Sequence, residues 1–457
     1  MGSQSSPSPD PTTISTALQD ALIRYAQRHP QSLKHHQEAL LSLPGGNTRS
    51  LLHENPFPVL MARGESHLLH DVDGHTYNDL VGELTAGLFG HSHPVLLQAL
   101  ADTAKNVGLS LGATNVLEAR YARLLCERFA LGRVRFTNSG TEANLHALAA
   151  ARKYTGRKKV VVFTGGYHGS VLSFGAPTEN NVDKDSFVLV EYNDCDGVVE
   201  AFRREGSENI AAVLVEPMQG SSGFIPATKE FLLSIQEQCA QAGAVFILDE
   251  VMTSRLAPGG LQSTFRAEQG SDQSLIKPGL TTFGKYLGGG MPFGAFGGDA
   301  EIMGVYDPRS INSLVHSGTF QNNTLMLAMG HAALSQVYTP EKAISHTQRG
   351  DRLRARLVEV TKGTMLSATG FGSLVCMHFG SGWGRLGEQV RSKEHGGPDD
   401  EDLKTLFWLE MLERGFWVQR RGNIALILDT PLDVDDKFVD AVSEFVARHE
   451  GYVRIDS

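Results

Sequence analysis

The stretch Thr281-Thr282-Phe283-Gly284-Lys285-Tyr286-Leu287-Gly288-Gly289-Gly290 sets one lysine between a short apolar run and three glycines. An amine placed there can attack a carbonyl with nothing bulky to block a flat ligand beside it. Thirty-six residues earlier, Asp249 ends the apolar run Ala244-Val245-Phe246-Ile247-Leu248. On their own, a lysine beside glycines serves as a turn residue and an aspartate after a strand serves as a helix cap. Two further segments change that reading.

Val134-Arg135-Phe136-Thr137 is followed by Asn138-Ser139-Gly140-Thr141-Glu142-Ala143 and then by the helix former Asn144-Leu145-His146-Ala147-Leu148-Ala149-Ala150. This order, a strand, a Ser-Gly-Thr turn and a helix, gathers free amides and two hydroxyls at a positive helix end, which suits a phosphate group. After the strand-like run 159–163 comes Gly165-Gly166-Tyr167-His168-Gly169. An aromatic ring opening a strand-to-helix loop can lie flat on another ring, a contact of about 1 kcal/mol. A lysine for an aldehyde, a carboxylate for a ring nitrogen, a phosphate turn and a stacking ring together describe the needs of pyridoxal phosphate (PLP).

From about residue 115 to 336, apolar runs alternate with helical stretches: 134–137, 160–163, 187–190, 211–215, 244–248 and 280–283. The alternation predicts an α/β domain with a mainly parallel sheet flanked by helices, its ligand beyond the carboxyl ends of the strands. All four chemical segments fall at such ends. Asp73-Gly74, between Leu68–Asp71 and Thr76–Asp79, predicts a hairpin. After Thr339-Pro340 the pattern changes to helices over 352–360 and 402–414, strands over 373–379 and 424–428, and a closing helix over 434–449. The expected organisation is a disordered tail over 1–15, an N-terminal segment over 16–79 joining a small domain, a large domain over 80–338 and a smaller α+β domain over 339–457.

The chain's 457 residues, too many for one core, suit two lobes. A net charge of -10 with no basic run speaks against nucleic acid and anionic membrane as partners. No window approaches a membrane helix. Cys126, Cys195, Cys239 and Cys376 are scattered, without metal-ligand spacing or disulfide density, which fits a reducing, cytoplasmic setting and no metal.

In Asp79-Leu80-Val81-Gly82-Glu83-Leu84-Thr85-Ala86-Gly87-Leu88-Phe89-Gly90-His91-Ser92-His93-Pro94, Val215-Glu216-Pro217-Met218-Gln219-Gly220 and Leu248-Asp249-Glu250-Val251-Met252-Thr253-Ser254-Arg255, together with the segments above, the chain resembles the class III aminotransferases of PLP fold type I. Within that class it is similar to the β-phenylalanine aminotransferases and to the glutamate-1-semialdehyde aminomutase group. The resemblance implies a seven-stranded large domain. It also implies Lys285 as the Schiff-base lysine, Asp249 at the pyridine nitrogen, Tyr167 and Val251 on the two ring faces, Ser139, Gly140 and Thr141 at the phosphate, and Glu216 near the cofactor. Thr319, in His316-Ser317-Gly318-Thr319-Phe320, would reach the phosphate of a second subunit, which implies a homodimer with active sites at the subunit interface.

Arg49, in Gly46-Asn47-Thr48-Arg49-Ser50, aligns with the arginine that binds the carboxylate of a β-amino acid. Gln419-Arg420-Arg421-Gly422 aligns with the segment that binds an α-amino or α-keto acid. Alternation along a strand allows only one of Arg420 and Arg421 into the site, and Arg420 is the expected one. Leu84, Leu88, Phe89 and Met252 suit either a substrate pocket or the core. The expected activity is transfer of an amino group from a β-amino acid to an α-keto acid such as 2-oxoglutarate or pyruvate. The alternatives are an aminomutase, which needs no external amino donor, and a non-catalytic scaffold on the same fold.

Overall fold

The computed structural model describes residues 11–175, 184–265 and 275–455. The first helix, Pro11–Arg28, takes in residues 11–15 of the expected tail, because proline is tolerated in a first helical turn where its missing N–H has no bond to make. The part of the expected tail before Pro11 lies outside the described residues. Strands β1 (Met61–Glu65), β2 (Leu68–Asp71) and β3 (Thr76–Asp79) follow a second helix, Pro30–Ala39. β2 and β3 pair antiparallel around the Asp73-Gly74 turn, where Gly74 has φ +94°. His29, Asp71, His75 and Tyr77 bind one another there, with Tyr77 donating to Asp71 Oδ2 at 2.8 Å and His75 Nδ1 2.9 Å from the same oxygen. This fastens the junction of the first two helices to the hairpin.

The large sheet contains β4 (Arg133–Thr137), β5 (Lys159–Phe163), β6 (Phe187–Val190) and β7 (Ile210–Val215). A short pair, β8 (Met218–Gln219) and β9 (Ile225–Pro226), comes next in the chain. β10 (Val245–Asp249), β11 (Leu280–Gly284) and β12 (Gly294–Gly298) complete the sheet in the order β4-β12-β11-β10-β7-β5-β6. The pairs β10–β11, β10–β7, β7–β5 and β5–β6 are parallel, as expected. β12 is the strand the sequence pattern misses. It pairs antiparallel with both β11 and β4, and its Gly-Ala-Phe-Gly-Gly run lacks the branched residues that announce a strand. β7, β10, β11 and β12 are buried along their whole length, as strands covered by helices on both faces must be.

The C-terminal part carries β13 (Leu366–Phe371), β14 (Leu374–Phe379), β15 (Phe416–Trp417) and β16 (Asn423–Ala425). β13, β14 and β16 form a three-stranded antiparallel sheet, whereas β15 pairs in parallel with β3. Pro340 opens the long helix Pro340–Val360 directly after a π-helical turn over Ala333–Val337. One apolar core joins Ile14, Leu18 and Tyr25 of the first helix to Leu403, Trp408 and Phe438 near the other end of the chain.

Candidate active site

β10 and β11 lie side by side in the middle of the sheet, with Asp249 in register with Thr282, so the carboxylate and the lysine emerge at the carboxyl ends of adjacent strands. Asp249 is 5% exposed. Its Oδ2 accepts from Asn144 Nδ2 at 2.7 Å and lies 2.7 Å from His168 Nδ1, while the Val251 amide donates to Oδ1 at 3.0 Å. Thr282 Oγ1 in turn donates to Asn144 Oδ1 at 2.7 Å, which fixes the amide's orientation. Oδ1 therefore carries one donor and keeps acceptor capacity for another, such as a protonated ring nitrogen. Asn144 and His168 were missed as site residues by the sequence reading. Their places in the second turn of a helix and in a Gly-rich loop were the available signals.

Lys285 follows the extended Gly284 with φ +56°, a left-handed conformation that costs a side-chain-bearing residue about 1–3 kcal/mol. Burial pushes its pKa down, and Asp249 and Glu216 pull it partly back up. Among the described residues no carboxylate forms an ion pair with it, so a half-buried amine stands beside the aspartate without a direct partner. Glu216 is buried, accepting long contacts from the amides of Tyr167 (3.4 Å) and Gly220 (3.5 Å). Burial first, then the charge of Asp249, push its carboxyl well above the usual range. Tyr167 is exposed, and its phenol is raised by partial burial and by Glu216.

Ser139 caps the helix Gly140–Thr155, its Oγ accepting from the Glu142 amide at 3.2 Å. The amides of Gly140 and Thr141 belong to the first turn, whose N–H groups a helix cannot satisfy internally. A Cβ on Gly140 would come within 2.7 Å of the Val251 side chain, so only glycine lets the turn approach Val251 this closely. Gly169 is similarly close-packed, because a Cβ there would meet Thr141 Oγ1 at 2.3 Å. An amine without a partner, a carboxylate with spare acceptor capacity, and a helix-start turn with unpaired amides packed against Val251 fit the aldehyde, ring nitrogen and phosphate of PLP. Thr319 is exposed, and among the described residues no hydrogen bond joins it to the Ser139–Thr141 turn of its own chain. Leu88 and Phe89 belong to the core at 0% and 6% exposure, whereas Leu84 is half-buried and Met252 packs at Gly220.

The two arginine segments differ from expectation in one respect. Arg49 Nη1 donates to Glu83 Oε1 at 2.8 Å, with both side chains about half exposed. Arg420 and Arg421 lie in a turn between β15 and β16, with Gly422 at φ +88°, so strand alternation does not decide between them. Arg420 is held by two carboxylates, Glu54 at 3.0 Å and Glu401 at 2.9 Å. Arg421 has no ion pair among the described residues and lies close enough to Tyr167 to oppose the rise of its phenol. Of the two, Arg421 is thus the guanidinium that acts on Tyr167.

The sequence profile described as aminotransferase class-III matches residues 51–447. A β-phenylalanine transaminase from Variovorax paradoxus is 45% identical over 441 residues, covering 95% of this chain and 97% of that protein. A glutamate-1-semialdehyde 2,1-aminomutase from Geobacillus kaustophilus is 34% identical over 421 residues, covering 88% and 94%. The crystal structure of a β-phenylalanine aminotransferase from Variovorax paradoxus superposes with a TM-score of 0.91 at 43% identity, covering 97% of this chain and all of that one.

Proposed function

The chain belongs to the class-III aminotransferases and is a PLP-dependent enzyme of fold type I, and from that premise we propose that it carries an amino group from a β-amino acid to an α-keto acid. Bound PLP supplies an aldehyde that takes up the amino group and a ring that spreads the electron pair left when the amine-bearing carbon loses its proton. The chain's residues do the rest. Lys285 would hold the aldehyde and, once displaced by the amine, act as the base at that carbon, for which burial favours its neutral form. Asp249 would keep a proton on the ring nitrogen, oriented by Asn144 and His168. Tyr167 and Val251 would cover the two ring faces. Ser139, Gly140 and Thr141 would hold the phosphate.

The observation that carries the substrate reading is the presence of two guanidiniums on two separate segments, Arg49 tethered to Glu83 and Arg421 beside Tyr167. A β-amino acid carries its carboxylate one carbon further from the amine than an α-amino acid does. One fixed guanidinium could not grip both in reactive geometry, and bidentate arginine forks at two places can. We assign Arg49 to the β-amino acid and Arg421 to the α-keto acid. Purified holoenzyme tested with β- and α-amino acids against 2-oxoglutarate and pyruvate should turn over β-amino acids only when an acceptor is present. Turnover of an amino-aldehyde without acceptor, the behaviour of an aminomutase, would overturn the reading.

A second copy of the chain completes the site in this reading. Leu109, Val116, Ile311, Val315 and Phe320 are 61%, 76%, 101%, 86% and 63% exposed. Asn323 Nδ2 and Thr324 Oγ1 donate to the Leu109 carbonyl, so the two apolar stretches form one surface around Thr319. A homodimer that covers this surface would bring Thr319 to the partner's phosphate turn. Four free cysteines support a reducing, cytoplasmic setting, and no helix of the described residues is long and apolar enough to cross a membrane.

A further inference from the structure

Arg255 lies six residues beyond Asp249, in the short turn Thr253–Leu256, and is 0% exposed. Among the described residues it pairs with no carboxylate. Its Nη1 donates to the Thr85 carbonyl at 3.1 Å, and its Nη2 reaches the Leu426 carbonyl and His346 Nε2, while Nε is left without a partner. Burial pushes its pKa down to about 10, so it stays charged at neutral pH. A cation buried among neutral acceptors is costly, and what it holds explains why it is kept.

Thr85 ends a run of four left-handed residues, Gly82, Glu83, Leu84 and Thr85, with φ of 51°, 47°, 54° and 78°. Only the first is glycine, and residues with side chains avoid this region singly, let alone in succession. The run closes on itself through Gly87 N to Gly82 O at 2.7 Å and Ala86 N to Glu83 O at 3.2 Å. From outside the run, Asp79 Oδ1 accepts from the Gly82 amide at its start at 3.0 Å, and Arg255 holds its end at Thr85. The second residue of the run, Glu83, accepts from Arg49. A continuous path therefore leads from the end of β10, which carries Asp249, through Arg255 and the Thr85 carbonyl to Glu83 and Arg49.

We propose that Arg255 is a positioning residue that holds the left-handed turn Gly82–Thr85, so that Glu83 presents Arg49 to the carboxylate of the amine substrate. The proposal rests on the assignment of Arg49 to that carboxylate. Lysine cannot replace Arg255, because a single ammonium lacks the planar fork that reaches the Thr85 and Leu426 carbonyls together.

The test uses holoenzyme carrying Arg255→Lys or Glu83→Gln. In Arg255→Lys, amide hydrogen exchange over residues 82–87 accelerates about tenfold. KM for a β-amino acid rises about tenfold in both variants with kcat within about twofold, and KM for the same amine lacking its carboxylate stays put. Unchanged exchange over 82–87 in Arg255→Lys, or equal KM shifts for the two amines, overturns the proposal. If Arg255→Lys fails to give holoenzyme, the exposed Glu83→Gln decides alone, and an unchanged KM ratio overturns the proposal. Arg49→Ala separates the layers: if it leaves the KM ratio unaltered, the carboxylate assignment itself fails, whatever the exchange data show.

Discussion

The bottom of the proposed site and its proposed rim are built in opposite ways. At the bottom, Asp249 is buried and takes hydrogen bonds from three groups, one of which is itself held by Thr282. At the rim, Arg49 and Glu83 are about half exposed, Arg421 has no ion pair among the described residues, and Thr319 stands on an exposed apolar surface. The bottom is complete within one chain because charge on the ring must be stabilised without reorganisation during the reaction. In our reading the rim is unfinished because it must admit two acids of different shape in turn and wait for a second chain.

Substitutions should therefore act by powers of ten at the bottom and by smaller factors at the rim. Asp249→Ala should lower kcat at least a thousandfold, about 4 kcal/mol, with PLP still bound through the phosphate turn. A loss under tenfold in steady-state turnover would remove Asp249 from the ring nitrogen and break the contrast.

Glu250, next to Asp249, extends the contrast to stability. Burial raises its pKa to about 7, outweighing hydrogen bonds from Gln262, Thr253 and Leu261. A carboxyl whose folded pKa lies above its unfolded one binds more protons when folded, so stability is greatest in acid and is lost as pH rises from about 4.5 to 7. Relative to Glu250→Gln, which does not titrate there, the wild type should lose about 3 kcal/mol across that window. Urea melts at pH 5 and pH 7.5 read the difference, and parallel profiles would refute it.

At the rim, Arg421→Ala should weaken the α-keto acid half-reaction by about 2 kcal/mol and leave the amine half nearly intact. Arg420→Ala should act more weakly, since its guanidinium is already shared by Glu54 and Glu401. Single-turnover absorbance changes with each substrate in isolation separate the halves, and a larger effect from Arg420 would restore the original expectation. The smallest effect belongs to Thr319→Ala, which should loosen PLP by about 1 kcal/mol, the worth of one hydrogen bond. Wild-type activity should fall on dilution to monomer. A fully active monomer would show that the rim needs no partner.

The sequence announced the bottom of the site more clearly than the rim, for a physical reason. Asp249, Lys285 and the Ser139–Thr141 turn each need a strand end or a helix start, and such ends are written in local apolar patterns. Asn144 and His168 act on Asp249 from 105 and 81 residues away, a proximity no local pattern encodes. β12 was invisible because four of the five residues of its buried strand are glycine or alanine. Arg420 was preferred over Arg421 by a rule for strands, and the segment is a turn. There the side chains are sorted by nearby carboxylates, which the strand rule does not consider.

The packing of the first helix on the far end of the chain also sets a timetable for biosynthesis. Arg24 meets Glu413 across 389 residues, and Ile14, Leu18 and Tyr25 share a core with Leu403 and Phe438. At ribosomal rates of about 5–20 residues per second, that helix emerges roughly 20 to 80 s before its covering surface exists. All seven strands of the large sheet lie between these two ends, so the sheet can assemble while the apolar stripe of Pro11–Arg28 is still bare. In that interval the helix, with Phe57, Val59, Tyr77 and Leu80 of the same core, lacks the C-terminal surface that covers it in the folded chain.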